Sequence, residues 1–321
     1  MTSPIWLIAG REFRAYAATA SFWLALMIGP LLTGGALLAA RSAPAGPSEQ
    51  TLVLSPTTGG FEAHFSRDFP LSPAARAKLI EGLRGEGVAV TSAAPEGRSS
   101  DDIAALSRFM LVVMLWTTLT GSLGLLLQAV VRERANRALE ILLAAARPLD
   151  IVLGKVLGIG ALSTLVLATW LAGPVLAAAF APASGSLTGA ILHQLADPVL
   201  LLRGAVIYVL AFGFYGFVTV MVGSMARDNA EAQNLARPVF AVLLAVFFAA
   251  LAAAGGGGGP AWLVYVPPFT PFLLLATPTP AGIEAPALLI MVGATLLAAW
   301  CAGRALRLEG AALIFLRRRR A

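Results

Sequence analysis

Long apolar runs alternate with short charged stretches along this chain. A run of about 20 apolar residues is long enough to cross a hydrocarbon layer as a helix. Six such runs can be marked, at 20–40, 108–131, 156–181, 204–225, 238–254 and 284–303. The fifth is short and ends in GGGGGP. The next stretch, WLVYVPPFTPFLLLATPTP, is apolar but carries five prolines. Five prolines disfavour a regular lipid-facing helix there, so 255–283 is expected to be a broken or re-entrant Gly/Pro-rich segment at the outer face, buried against protein. Residues 1–19 place Trp6, Ala9, Phe13 and Tyr16 on about one helical face, with Arg11, Glu12 and Arg14 outside it, which predicts an interfacial helix before span 1.

Residues 41–107 break the pattern. RSAPAGPSEQ is a polar linker, TLVLS and VAVTS have strand composition, and LSPAARAKLIEGLRGEG has that of a helix ending at glycine. The expected fold is therefore an all-α polytopic membrane protein with six transmembrane helices, the N-terminal interfacial helix, and a small α/β external segment between spans 1 and 2.

Composition agrees with this class. Hydrophobic residues make up 58% of the chain and charged residues 12%, against about 25% charged in soluble domains. The net charge of +6 is a membrane signature here rather than a nucleic-acid one. Orientation follows from where the cations lie. The N-terminus, the 132–155 and 226–237 loops and the 304–321 tail hold 15 of the 23 Lys and Arg. Seven of the other eight lie in the long 41–108 segment, which weakly affects orientation, and the eighth is Arg203 in the 182–203 loop. Both termini are thus expected to be cytoplasmic in a plasma (inner) membrane, with the LRRRRA tail close to anionic lipid. The one cysteine, Cys301, lies in a predicted span, and no cleavable signal peptide is expected.

No catalytic or metal site is expected. HExxH, zinc-spaced Cys/His clusters and GxSxG do not occur, and His64 and His193 are isolated. The glycine run 255–259 lacks the Lys-Ser/Thr of a phosphate-binding loop. The predicted spans carry almost no ionisable group, Gln128 being the main polar exception, which lowers the case for an ion-coupled carrier. Gly154 and Gly158 have the GxxxG spacing of close helix contacts, a spacing that also arises by chance among 32 glycines.

One stretch concentrates charge between two apolar runs: VVRERANRALEILLAAARPLDIVLGK, 130–155. As a helix it gathers Glu133, Asn136, Arg137 and Glu140 on one face, with Glu133 and Arg137 a favourable i,i+4 pair. Ala135, Ala138, Leu139 and Leu142 lie opposite, and Pro148 marks a break. Read from the residues alone, this is either a partner-binding helix or a solvated hairpin whose charges fix orientation.

The chain resembles the permease subunit of type-2 ABC exporters, in the branch of sodium-efflux and multidrug-type permeases. The resemblance rests on E-R-A-N-R-A-L-E-I-L-L from Glu133, Arg147-Pro148, and Leu153-Gly154-Lys155 entering span 3. It extends to REFRAY near the N-terminus, to GSMARDNAEAQN at 223–234, and to the order of spans. Ala138 replaces the family's threonine, and AAARPLD replaces its usual turn. The resemblance implies that 132–155 is a coupling helix docking on a separate cytoplasmic ABC ATPase through Glu133, Asn136, Arg137 and Glu140. Arg227, Asp228 and Glu231 would make a second contact. It further implies no cofactor in this chain, ATP and Mg being held by the partner, and a homodimer or a dimer with a related permease. The competing classes are a secondary transporter working without an ATPase and a non-transport membrane scaffold.

Overall fold

The computed structural model describes residues 4–42, 52–57, 60–65, 78, 81–82, 89–91, 100–135, 146–180, 187–226, 228–257 and 259–318. The chain divides into two compact units, residues 35–103 and the remainder.

The smaller unit holds a three-stranded sheet in the order β1-β2-β3. Strands β1 (Leu52–Thr57) and β2 (Gly60–Phe65) pair antiparallel, from Leu52 opposite Phe65 to Thr57 opposite Gly60. Strand β3 (Ala89–Thr91) lies parallel to β2, with Glu62 opposite Ala89. Strand β2 is not among the elements expected from the sequence, although Phe61, Ala63 and Phe65 alternate with Glu62 and His64 at the period of a strand. Most of the helix expected at 71–87 lies outside the described residues.

The larger unit is a helix bundle. Its elements are α1 (Pro4–Ala17), α2 (Ala20–Ser42), α3 (Ser100–Ala135), α4 (Pro148–Phe180), α5 (Leu187–Leu195), α6 (Pro198–Met225), α7 (Asn229–Ala254), a 3-10 turn (Ala261–Tyr265), α8 (Thr270–Ala276) and α9 (Ala281–Arg318); α2 and α3 each reach into the smaller unit. Among the described residues, α3, α4, α6, α7 and α9 are long and apolar enough to cross a membrane. The α1–α2 pair, bent by 76°, makes a sixth if it forms one span. The helices outrun the apolar stretches that announced them. Helix α6 starts at Pro198, where Asp197 caps it by accepting from the Val199 amide at 3.1 Å. Helix α3 continues through Arg132 and Glu133 without a break, and α9 continues to Arg318. Hydropathy marks only the part of a helix that suits hydrocarbon, whereas backbone hydrogen bonding carries on into the polar flank.

Leu119, Leu123 and Leu126 of α3, Val152 and Ile159 of α4, and Ile207, Ala211 and Tyr215 of α6 form the buried centre. Burying such side chains contributes about 1.5–3 kcal/mol each in water; within a bilayer the gain comes instead from close packing. Hydroxyls stitch the same helices. Tyr208 donates to Ser163, Ser163 pairs with Ser122, and Ser122 donates to the Thr118 carbonyl at 2.7 Å.

The Gly/Pro-rich segment is a broken, buried element. Helix α7 ends at the glycine run, where Gly256 takes the left-handed conformation (φ 82°) that residues with a side chain rarely adopt. The chain then forms the 3-10 turn and α8, whose Phe272, Leu274, Leu275 and Ala276 are buried. Tyr215 donates to the Pro268 carbonyl at 2.8 Å. Tyr215 sits ten residues before the Met225 end of α6, about 15 Å along its axis. Leu275, by contrast, packs at the level of Gly204 near the other end. The segment thus penetrates the bundle and returns. Its polar groups are met by protein: Thr270 donates its hydroxyl to the Val264 carbonyl at 2.8 Å.

Candidate coupling site

Three helices converge where the charged 130–155 stretch begins. Helix α1 lies across the start of α4, and two glycines allow the approach. A Cβ at Gly158 would stand 2.6 Å from the Ala9 carbonyl oxygen, and one at Gly154 would stand 2.7 Å from Ile8 Cβ. The GxxxG spacing is therefore a contact surface. Both glycines flank Lys155, which this contact seals from solvent.

Lys155 is 1% exposed. A buried ammonium is costly unless it is paired, and two carboxylates meet it. Its Nζ lies 3.0 Å from Glu12 Oε1 of α1 and 2.7 Å from Glu133 Oε2 of α3. The first contact has hydrogen-bond geometry; the second is an ion pair without that alignment. Arg11 closes the set from the solvent side, donating to Glu12 at 2.9 Å and to Glu133. Two cations and two anions thus alternate around one knot that joins α1, α3 and α4. Burial disfavours the Glu12 carboxylate, yet Lys155 and Arg11 together overcome it and hold its pKa below the ordinary carboxylate value.

Further contacts tie α1 to α3. Tyr16 donates to the Leu125 carbonyl at 3.2 Å, and the Arg132 guanidinium lies 5.9 Å over the Tyr16 ring. The face that α1 buries is Ile8, Ala9, Glu12 and Tyr16. This corrects the stripe expected from sequence. Trp6 is exposed, and Glu12, placed outside the stripe, is buried because Lys155 gives it a partner.

The expected site residues fare differently. Glu133 sits at the end of α3 with its carboxylate taken by Arg11 and Lys155, its side chain 13% exposed. Asn136, Arg137 and Glu140 lie outside the described residues, as does Arg227. Asp228 caps α7, accepting from the Glu231 amide at 2.8 Å, and Glu231 lies in the first turn, where a negative charge suits the helix dipole. Sequence reasoning missed Glu12 and Lys155. The available signal was a lysine between two glycines at the head of an apolar run and an acid inside an interfacial helix. Among the described residues no group of three or more His, Cys, Asp or Glu is placed to hold a metal.

An apolar cavity of about 140 Å³ opens between α3, α4 and α6, lined by Leu115, Leu171, Gly204, Tyr208 and Leu275 among others, with no charged group in its wall.

No curated protein matches the chain significantly. A family profile described as ABC-2 family transporter protein matches residues 91–303, which run from the end of β3 through α8 and into α9 as far as Gly303 and include Glu133 and Lys155. Together with the bundle of membrane-crossing helices, this match makes the protein a multi-pass membrane permease, and the chain belongs to the ABC-2 transporter family.

Proposed function

We propose that this permease is the membrane-embedded half of an ATP-driven exporter and that a separate cytoplasmic ABC ATPase supplies the energy. In this reading ATP and Mg are bound by that partner. Two permease copies, or this chain and a related one, complete the pathway. In this reading the protein sits in the plasma (inner) membrane, and the cation distribution supports cytoplasmic termini.

The observation that carries the reading is the knot at Glu133. In the chain, residues 136–147 follow the end of α3, and Glu133 near that end is ion-paired to α1 and α4. Force applied to that segment by a partner would reach three helices at once. Asn136, Arg137 and Glu140 are the surface contacts in this scheme, and Glu133 transmits rather than touches. Arg227, Asp228 and Glu231 form the second contact, with Asp228 also ordering its helix.

The test exchanges charges beyond the knot. Arg137→Glu with Glu140→Arg keeps the net charge and the cation count of the loop. Mismatched charge at a contact costs several kcal/mol of partner binding, whereas a solvated helix surface loses about 0.5 kcal/mol or less. The expected outcome is loss of ATPase co-purification and of ATP-dependent transport, with normal membrane insertion. Normal partner binding and transport by the exchanged protein would make these residues a solvated loop and defeat the assignment.

A further inference from the structure

At the end of the bundle that carries the Lys155 knot, a second polar feature shares no residue with it. A cleft of about 100 Å³ lies between the first turn of α4 and the last part of α9, lined by Leu149, Trp300, Gly303, Arg304 and Arg307. Gly303 forms its tight point: a Cβ there would stand 3.3 Å from Leu149 Cδ1. The Arg304 guanidinium lies 5.7 Å over the Trp300 ring. Among the described residues, neither Arg304 nor Arg307 has a carboxylate within ion-pair distance. Asp150, next to Leu149, does not line the cleft and makes no ion pair with either.

The depth of the cleft is set by α9. Trp300 comes nineteen residues after Ala281, the first residue of that helix. This is about 28 Å along the axis, close to the thickness of the hydrocarbon layer, about 30 Å. With the hydrocarbon layer entered at Ala281, Trp300 would stand at the level of the aromatic belt, and Arg304 and Arg307 one and two turns beyond it, among headgroups. Two guanidiniums one turn apart, each a planar fork of donors, match the oxygens of a phosphodiester. Leu149 and Trp300 offer an apolar wall beside them, where an acyl chain begins.

We propose that this cleft binds the phosphate headgroup of an anionic phospholipid, held by Arg304 and Arg307 against Trp300 and Leu149. The charges select for net negative lipid, and the apolar wall selects for lipid over a free anion. The site does not depend on the coupling scheme.

The experiment uses the full chain purified in detergent and exposed to equimolar phosphatidylglycerol and phosphatidylcholine, with retained lipid counted by native mass spectrometry. About tenfold preference for phosphatidylglycerol is expected. Arg304→Gln with Arg307→Gln should bring the ratio near one. Gly303→Leu, which fills the cleft and keeps both charges, should reduce it as well. Inorganic phosphate at the same concentration should not displace the lipid. An unchanged preference in the double arginine variant would overturn the site. Full preference in Gly303→Leu would mean diffuse attraction to a basic surface, and displacement by inorganic phosphate would mean a simple anion site; both also overturn it. If the double variant folds poorly, Arg307→Gln alone, which removes one exposed guanidinium, carries the same test.

Discussion

Lys155 of α4 reaches Glu133 of α3 at 2.7 Å and, through the same ammonium, Glu12 of α1 at 3.0 Å. Removing a partner from a buried ion pair leaves an uncompensated charge, typically at about 3–5 kcal/mol. Lys155→Met should therefore loosen α1, read as faster amide hydrogen exchange over residues 4–17. Adding Glu12→Leu should restore most of the protection, since Arg11 and Glu133 then remain as a complete pair. Exchanging the charges, Glu12→Lys with Lys155→Glu, should not restore it. The new Glu would face Glu133, and the new Lys would face Arg11. Full recovery by the exchange would show an isolated pair rather than a four-member knot.

The glycine contact gives a second test. Gly158→Val places side-chain carbon against the Ala9 carbonyl, where a Cβ has only 2.6 Å. Backbone cannot yield as a side chain can, and overpacking of this kind costs about 1–3 kcal/mol. The expected result is a lower melting temperature in detergent together with loss of α1 protection. Gly10→Ala on α1 is the control: a Cβ there meets nothing within 4 Å, so stability should hold or rise slightly.

The penetrating segment depends on Tyr215. Tyr215→Phe removes the donor to the Pro268 carbonyl and leaves that acceptor unpaired, at about 1–3 kcal/mol. Thermal unfolding in detergent should shift down while the elution volume stays unchanged. No shift would mean that packing around Phe272 alone holds the segment.

The pH response of the knot follows from Glu12. Its folded pKa is depressed, so its contribution is fully present above the unfolded value, about 4.3, and is lost as pH falls through the folded value. Arg11, Lys155 and Glu133 face it, and Lys155 and Arg11 are what keep it ionised. Protection of α1, corrected for intrinsic exchange, should be flat from about pH 5 to 8 and fall only in stronger acid. A midpoint near neutrality would contradict this assignment.

Orientation is testable with single cysteines in a Cys301→Ala background. A cysteine replacing Glu81 should react with an impermeant thiol reagent in intact cells, and one replacing Arg317 should react only after lysis. Labelling of position 317 from outside would reverse the topology.

The sequence by itself determined five helices of membrane length, because an apolar run of that length has few other ways to satisfy its backbone in hydrocarbon than as a helix. It also disfavoured a regular lipid-facing helix for the proline-rich 262–280 stretch, and it drew attention to Glu133. What it could not determine was which charges meet. Glu12 and Lys155 are 143 positions apart, and each reads locally as a surface residue at a membrane boundary. Only the crossing of α1 over the Gly154 and Gly158 face buries both, and burial is what turns them from solvated charges into obligatory partners. The Arg304–Arg307 cleft is legible only in the fold for the same reason. Its wall needs Leu149 from a helix that precedes it by about 150 residues. Hydropathy is a property of a window, whereas pairing depends on which windows the bundle brings side by side.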